Sequence, residues 1–287
     1  MSEYVITTDT AADLPASYLK KHDIHVVPLY YSVDGEMYGD KKTMEIKDFY
    51  AMLRSGKPST TSSVNPANTE IMFRDLLEQG HNILHIAFSS GLSGSYNVAN
   101  MVATSLSEEY TNQKIIVIDS LCASLGQGLL VHKAVCNREK GMNIEDNAKW
   151  LEENKLNLVH DFTVDNLHHL QRGGRISKTA ATFGTMLNIK PVLHVDNEGK
   201  LVSLYNVRSR KKSIAELASI MAKNIEGFDN DIFFISHGDC EKDAKALRDM
   251  IMEQTGIKEC LIAPVSPTIG AHSGPGTLAL FYMGKER

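Results

Sequence analysis

The chain has 287 residues, 43% hydrophobic and 23% charged, which is ample for a buried core in one large domain or two. A net charge of −5 argues against a general nucleic-acid binder. Four widely separated cysteines, Cys122, Cys136, Cys240 and Cys260, lack metal-ligand or redox spacing and read as free thiols of a reducing compartment.

No stretch reaches the ~18 apolar residues of a membrane span. Met1 to Tyr4 has neither the basic nor the apolar region of a signal peptide. A cytoplasmic location is the expectation. Tyr4 to Thr8 reads as a strand ending at Asp9, and Asp13 and Pro15 suit the start of a helix through His22. His25 to Val33 is β-rich, with a turn at Val33-Asp34-Gly35-Glu36. A helix from about Ile46 to Arg54 ends at Gly56. The hydroxyl-rich loop Pro58 to Pro66 follows, with Asn65 and Pro66 set to cap a helix that runs to Gln79.

Ile83 to Phe88 is a short apolar run that reads as a buried strand. It breaks into Ser89-Ser90-Gly91-Leu92-Ser93-Gly94-Ser95, and a helical pattern resumes with Val98, Met101, Val102 and Leu106 on one face. Strand, Gly/Ser turn, helix aims backbone N–H groups and the positive end of a helix at an anion. No lysine follows, so this is not an ATP-type phosphate loop. The alternative is a serine-capped connecting turn.

Lys114 to Asp119 is another strand, and 125–138 and 144–154 read as helices. Alternating strands and helices predict a parallel sheet with helices on both faces, and ligands at the carboxyl ends of its strands. Asp9, Ser89–Ser95 and Ser120 gather there.

The second half reads as a mixed sheet covered by helices on one face. Its expected strands are 158–164, 189–195, 201–207, 231–236 and 259–264, with a last apolar strand ending at Met283. Asn197 to Lys200 is a hairpin turn, and helices are expected at 177–187, 211–225 and 241–255. The fold class is therefore α/β in two domains, 1–158 and 159–287, the first with a parallel sheet and the second with a mixed one.

Three loops, 58–66, 89–95 and 267–276, offer many N–H and O–H donors and little bulk, which suits a carboxylate or phosphate. His272 lies among glycines in the third. Basic clusters at Arg172/Arg175/Lys178 and Arg208/Arg210/Lys211/Lys212 include cations at a helix start, where they oppose the dipole. A solvated charged face is the alternative for them. His168-His169 has the wrong spacing for a metal on one helix face, so no metal site is expected. Ser93, Asp119 and His272 follow the chain order of a hydrolase triad. Position 95, however, is Ser where the Gly-x-Ser-x-Gly elbow needs Gly.

These motifs together resemble the DegV family of bacterial fatty-acid-binding proteins. The matching pieces are Thr7 to Pro15, Thr60-Thr61-Ser62, Ser89 to Tyr96, Asp119-Ser120, Gly173 to Ser177, Asn188 to Pro191, Arg208 to Lys212 and Gly270 to Gly276. They run in family order along nearly the whole chain. The resemblance implies one long-chain fatty acid, such as palmitate, bound between two α/β domains. It implies a carboxylate held by Thr61 and Ser93, with Ser62, Gly94 and His272 close by. It also implies a separate fatty acid kinase, which phosphorylates the carboxylate and feeds phospholipid synthesis, so the chain itself is expected to be no enzyme, with no catalytic residue and no cofactor. Arg172, Arg175 and Arg208 are then candidates for kinase docking or phosphate contact. Ser62-Ser63-Val64-Asn65-Pro66 departs from the family's common Ser-Gln-Pro.

Overall fold

The computed structural model describes residues 4–177 and 188–287. The first part of the chain builds a four-stranded parallel sheet from β1 (Tyr4–Asp9), β2 (Ile24–Val27), β6 (Asn82–Ala87) and β7 (Ile115–Asp119), in the order β2-β1-β6-β7. β1 and β6 are buried along their whole length, so neither shows the apolar–polar alternation of a half-exposed strand. Helices α3 (Pro66–Glu78) and α4 (Ser95–Glu109) bury Phe73, Leu76, Leu77, Val102 and Leu106 on one face. On the other face lie α5 (Leu125–Glu139) and α6 (Ile144–Asn154). The short α1 (Ala16–Lys21) follows a 3-10 turn at Thr10–Ala12.

A small antiparallel sheet, β4-β3-β5, stands apart, formed by β3 (Tyr30–Val33), β4 (Glu36–Tyr38) and β5 (Ser59–Ser62). It packs on α2 (Ile46–Arg54) through Tyr31, Val33, Tyr38, Phe49 and Tyr50. The hydroxyl-rich stretch expected to be loop is thus half strand: Ser59 to Ser62 pairs with Val33 to Tyr30 and holds Thr61 opposite Tyr31.

The later part forms a six-stranded mixed sheet in the order β10-β9-β8-β13-β11-β12. Its strands are β8 (Leu158–Thr163), β9 (Ile189–Val195), β10 (Leu201–Arg208), β11 (Ile232–His237), β12 (Glu259–Pro264) and β13 (Leu278–Met283). Only β11 and β12 pair in parallel. Helices α8 (Arg210–Asn224) and α9 (Glu241–Thr255) cover one face, over Val159, Phe233, Leu278, Leu280 and Tyr282. The opposite face, with Phe162, Phe234, Ala279 and Phe281, shares a core with α5 and the parallel sheet. The expected helix 177–187 lies, from 178 onward, outside the described residues. Two further short helices form, α7 (His168–Arg172), where no element was expected, and α10 (Pro267–Ser273), in a stretch read as loop. Proline at the first turn of α10 is pre-set for a helix, which outweighs the glycine content that argued for loop.

The two parts are tied together at several points. Ser124, just before α5, donates its hydroxyl to Asp13, and the N–H of Ser266, the residue before α10, donates to Asp13 Oδ1 at 3.2 Å. The β9–β10 hairpin tip docks on the Ser89 loop: Ser89 Oγ donates to the Gly199 carbonyl at 2.9 Å. Gly199 has φ +74 and a Cβ there would overlap Ser89 Oγ, so the tip needs glycine for both reasons.

Candidate functional site

A cavity of about 250 Å3 opens between the carboxyl ends of the parallel strands and the inner face of the mixed sheet. Hydroxyl groups line one end, from Thr61, Ser62, Ser63 and Ser93, together with Gly94 and His272. The remaining wall is mostly apolar, with Leu29, Phe88, Leu92, Phe162, Val195 and Ile269 among its residues.

Strand ends position the central loop. Asp9, at the end of β1, accepts from Phe88 N at 2.8 Å and from Ala11 N at 3.0 Å, which locks the end of β6 to the end of β1. Ser120 N donates to Ala87 O at 3.3 Å, and Ser89 N to Cys122 O at 3.0 Å. The loop then turns on itself, with Ser93 N bonded to Ser89 O at 3.0 Å. Ser93 Oγ accepts from Ser95 N at 3.2 Å, a local turn bond just ahead of α4, and lies 2.9 Å from Ser95 Oγ. Val64 N reaches Ser95 Oγ at 3.4 Å and joins the 59–66 segment to this loop. Asn65 caps α3 as expected, accepting from Ala67 N at 2.9 Å.

His272 comes from the far end of the sequence, on α10. Its Nε2 lies 2.7 Å from Thr61 Oγ1. The ring packs against Gly173, where a Cβ would overlap Nδ1, and Nδ1 has no hydrogen-bond partner among the described residues. Burial, with Arg175 and Arg172 adding positive charge, pushes His272 down to about 4, so the ring is neutral at pH 7. With its proton on Nε2, the imidazole donates to Thr61 Oγ1 and frees the Thr61 hydroxyl to donate to an anion.

Arg172, Arg175 and Arg208 were expected at a docking surface or in phosphate contact. Arg172 is exposed on α7, with Nη2 3.2 Å from His169 Nδ1. Arg175 is half-buried in the cavity wall, and its Nη2 donates to Leu92 O at 3.0 Å, so it also braces the Ser89–Ser95 loop. Arg208 is exposed at the end of β10, opposite Ile189. Lys178 lies outside the described residues. Ser93, Asp119 and His272 are not joined as a triad. Asp119 Oδ1 accepts from Ser90 N at 3.1 Å and Leu121 N at 3.2 Å, while His272 turns to Thr61. Among the described residues, no group of three or more His, Cys, Asp or Glu is disposed to hold a metal ion.

Comparison with known proteins decides the family. The model described as "Uncharacterised protein, DegV family" matches residues 3–285. A DegV domain-containing protein of Clostridium perfringens is 43% identical over 289 residues, covering 100% of this chain and 99% of that one. The chain belongs to the DegV family.

Two solved DegV-like structures superpose on it along their length. One, described as fatty acid binding of a DegV family protein from Thermus thermophilus, is 28% identical with a TM-score of 0.89, covering 99% of this chain and 100% of that one. The other is a stearic acid-binding protein from Eubacterium ventriosum, 27% identical with a TM-score of 0.89, covering 98% of each. The parallel and mixed sheets of this DegV chain are thus a family architecture. Sequence reading gave no signal for the apolar wall. Phe162 and Val195 sit in strands with no apolar–polar alternation, so nothing marks the face that borders a cavity.

Proposed function

We propose that this DegV-family chain binds one long-chain fatty acid, with its tail in the apolar cavity and its carboxylate among Thr61, Ser93, Ser62, Gly94 and His272. The observation that carries the reading is the 2.7 Å contact between Thr61 Oγ1 and His272 Nε2 among the hydroxyls of a cavity whose wall is mostly apolar. Such a site holds a carboxylate with O–H and N–H donors and keeps the tail dry. The described binding of fatty acid by the Thermus thermophilus protein and of stearic acid by the Eubacterium ventriosum protein supports it. Burying a C16 tail contributes on the order of 10 kcal/mol at ~0.8 kcal/mol per methylene, before association costs. The head-group bonds then fix position more than affinity.

The ligand sits between two α/β domains, 1–158 and 159–287. The chain carries out no turnover itself. It works in the cytoplasm and presents the carboxylate to a separate fatty acid kinase, and the acyl-phosphate enters phospholipid synthesis. Arg172 and Arg175 flank His272, where they can neutralise a phosphate as it forms, and Arg208 belongs to the docking surface. Solvent extraction of the purified protein, followed by mass spectrometry, tests the core of this reading. A long-chain acid near one per protein is expected. An empty extract, together with no binding of added C14–C18 acids, overturns it.

A further inference from the structure

The floor of the cavity differs from its walls. Strand register stacks two rows of residues across the mixed sheet. Ser236, Ala279 and Phe162 lie side by side on β11, β13 and β8, and Phe234, Phe281 and His160 form the next row. β8 runs toward α7, so the His160 row lies two residues, about 7 Å, further from the site loops. His160 and Phe281 line the cavity there. His160 is 1% exposed, and its ring meets Phe281 edge-on at 5.2 Å and 89°.

Helix α5 closes the floor from the other side. A Cβ at Gly126 would overlap His160 Nε2 and crowd the Phe281 ring, so the glycine is what gives the imidazole its room. Ala123 N lies 3.4 Å from the same nitrogen. Burial holds the His160 pKa well below the usual value, so the ring is neutral and an apolar chain end meets it without burying a charge.

We propose that His160 is the floor of the acyl cavity and sets the longest chain this protein accepts. The inference rests on the fatty-acid reading above. The His160–Phe281 ring pair and α5 close the cavity at this end, so a chain that fills it presses its terminus on the floor. Extra methylenes then have to displace a close-packed aromatic pair.

The test is a ladder of saturated acids from C8 to C20, titrated into the wild-type protein and into His160→Val, His160→Ala and His160→Phe. The wild-type affinity should fall about tenfold within two or three carbons beyond its best length. His160→Val and His160→Ala should move the best length up by about two to three carbons, the space of the lost ring atoms. His160→Phe keeps a ring and should leave it unmoved. Valine suits a strand, so that variant decides the matter if alanine does not fold. An unchanged best length in the small variants, with binding intact, overturns this inference alone. No binding of any acid by the wild type overturns the fatty-acid reading with it.

Discussion

Thr61 and Ser93 each carry a single hydroxyl proton, and their neighbours bear on where it points. Ser93 Oγ already accepts from Ser95 N at 3.2 Å, so its own hydrogen is free for a ligand or for Ser95 Oγ. Thr61 is free to donate only while His272 donates to it. Ser93→Ala or Thr61→Val should each weaken retention of a long-chain acid by about 5- to 150-fold, the equivalent of ~1–3 kcal/mol for one charge-assisted bond. Competitive displacement of a fluorescent acid measures it, and unchanged affinity in both variants counts against these two residues as the carboxylate ligands. The types and spacing of these residues were legible in the chain. The Thr61–His272 partnership was not, because 211 residues separate the pair and no local pattern records which loops meet.

At the level of elements, two segments carried misleading local signals. Ser59 to Ser62 is all hydroxyl and reads as loop, yet pairing with β3 makes it a strand and sets Thr61 in a fixed register. Pro267 to Ser273 reads as part of a loop of small hydroxyl and glycine residues, but it is a helix wedged on α2: Tyr50 OH donates to Val265 O at 3.1 Å, and Gly270 sits where a Cβ would crowd Tyr50 and Phe49. The strand-to-helix passage around Ser89–Ser95 was legible because its glycines and serines do local work. The basic residues at the start of α8 present a different case. Ser209 caps the helix through Lys212 N at 3.4 Å, and Arg210 is engaged by Asp243 at 2.8 Å, whereas Arg208 is exposed. Lys190 binds Asp165 at 2.6 Å, which brings the start of β9, and Arg208 opposite it, to the end of the sheet that carries α7. Arg208→Glu should impair kinase-coupled phosphorylation of the bound acid and leave acid binding intact. Equal loss of both in paired assays argues against docking.

Across the whole molecule, Asp13 joins the two halves through Ser124 and Ser266, and its burial is complete enough to matter for stability. Desolvation pushes its carboxyl up to about 7 from an ordinary 3.8, with hydrogen bonds from Ser124 and Ser266 opposing. The folded chain therefore holds a proton between these values that the unfolded chain has released, and the stability from this group is lost as pH rises through about 7. Asn cannot ionise, so the melting temperature of Asp13→Asn, relative to wild type, should rise between pH 5 and pH 8. A difference that stays flat with pH contradicts the assignment. The parallel sheet was legible from alternating strands and helices, whereas the order of the mixed sheet was not, since hydrophobic runs do not name their partners. That order has a temporal consequence. β13 lies in the middle of its sheet, between β8 and β11, although it is the last strand in the sequence. As the chain leaves the ribosome, β8 and β11 emerge without the strand that must separate them, and Thr163 waits for Leu278. The cavity's far end and the His272 wall are then late products of synthesis, and a nascent chain stalled before β13 holds an unfinished sheet with two open edges and no closed cavity.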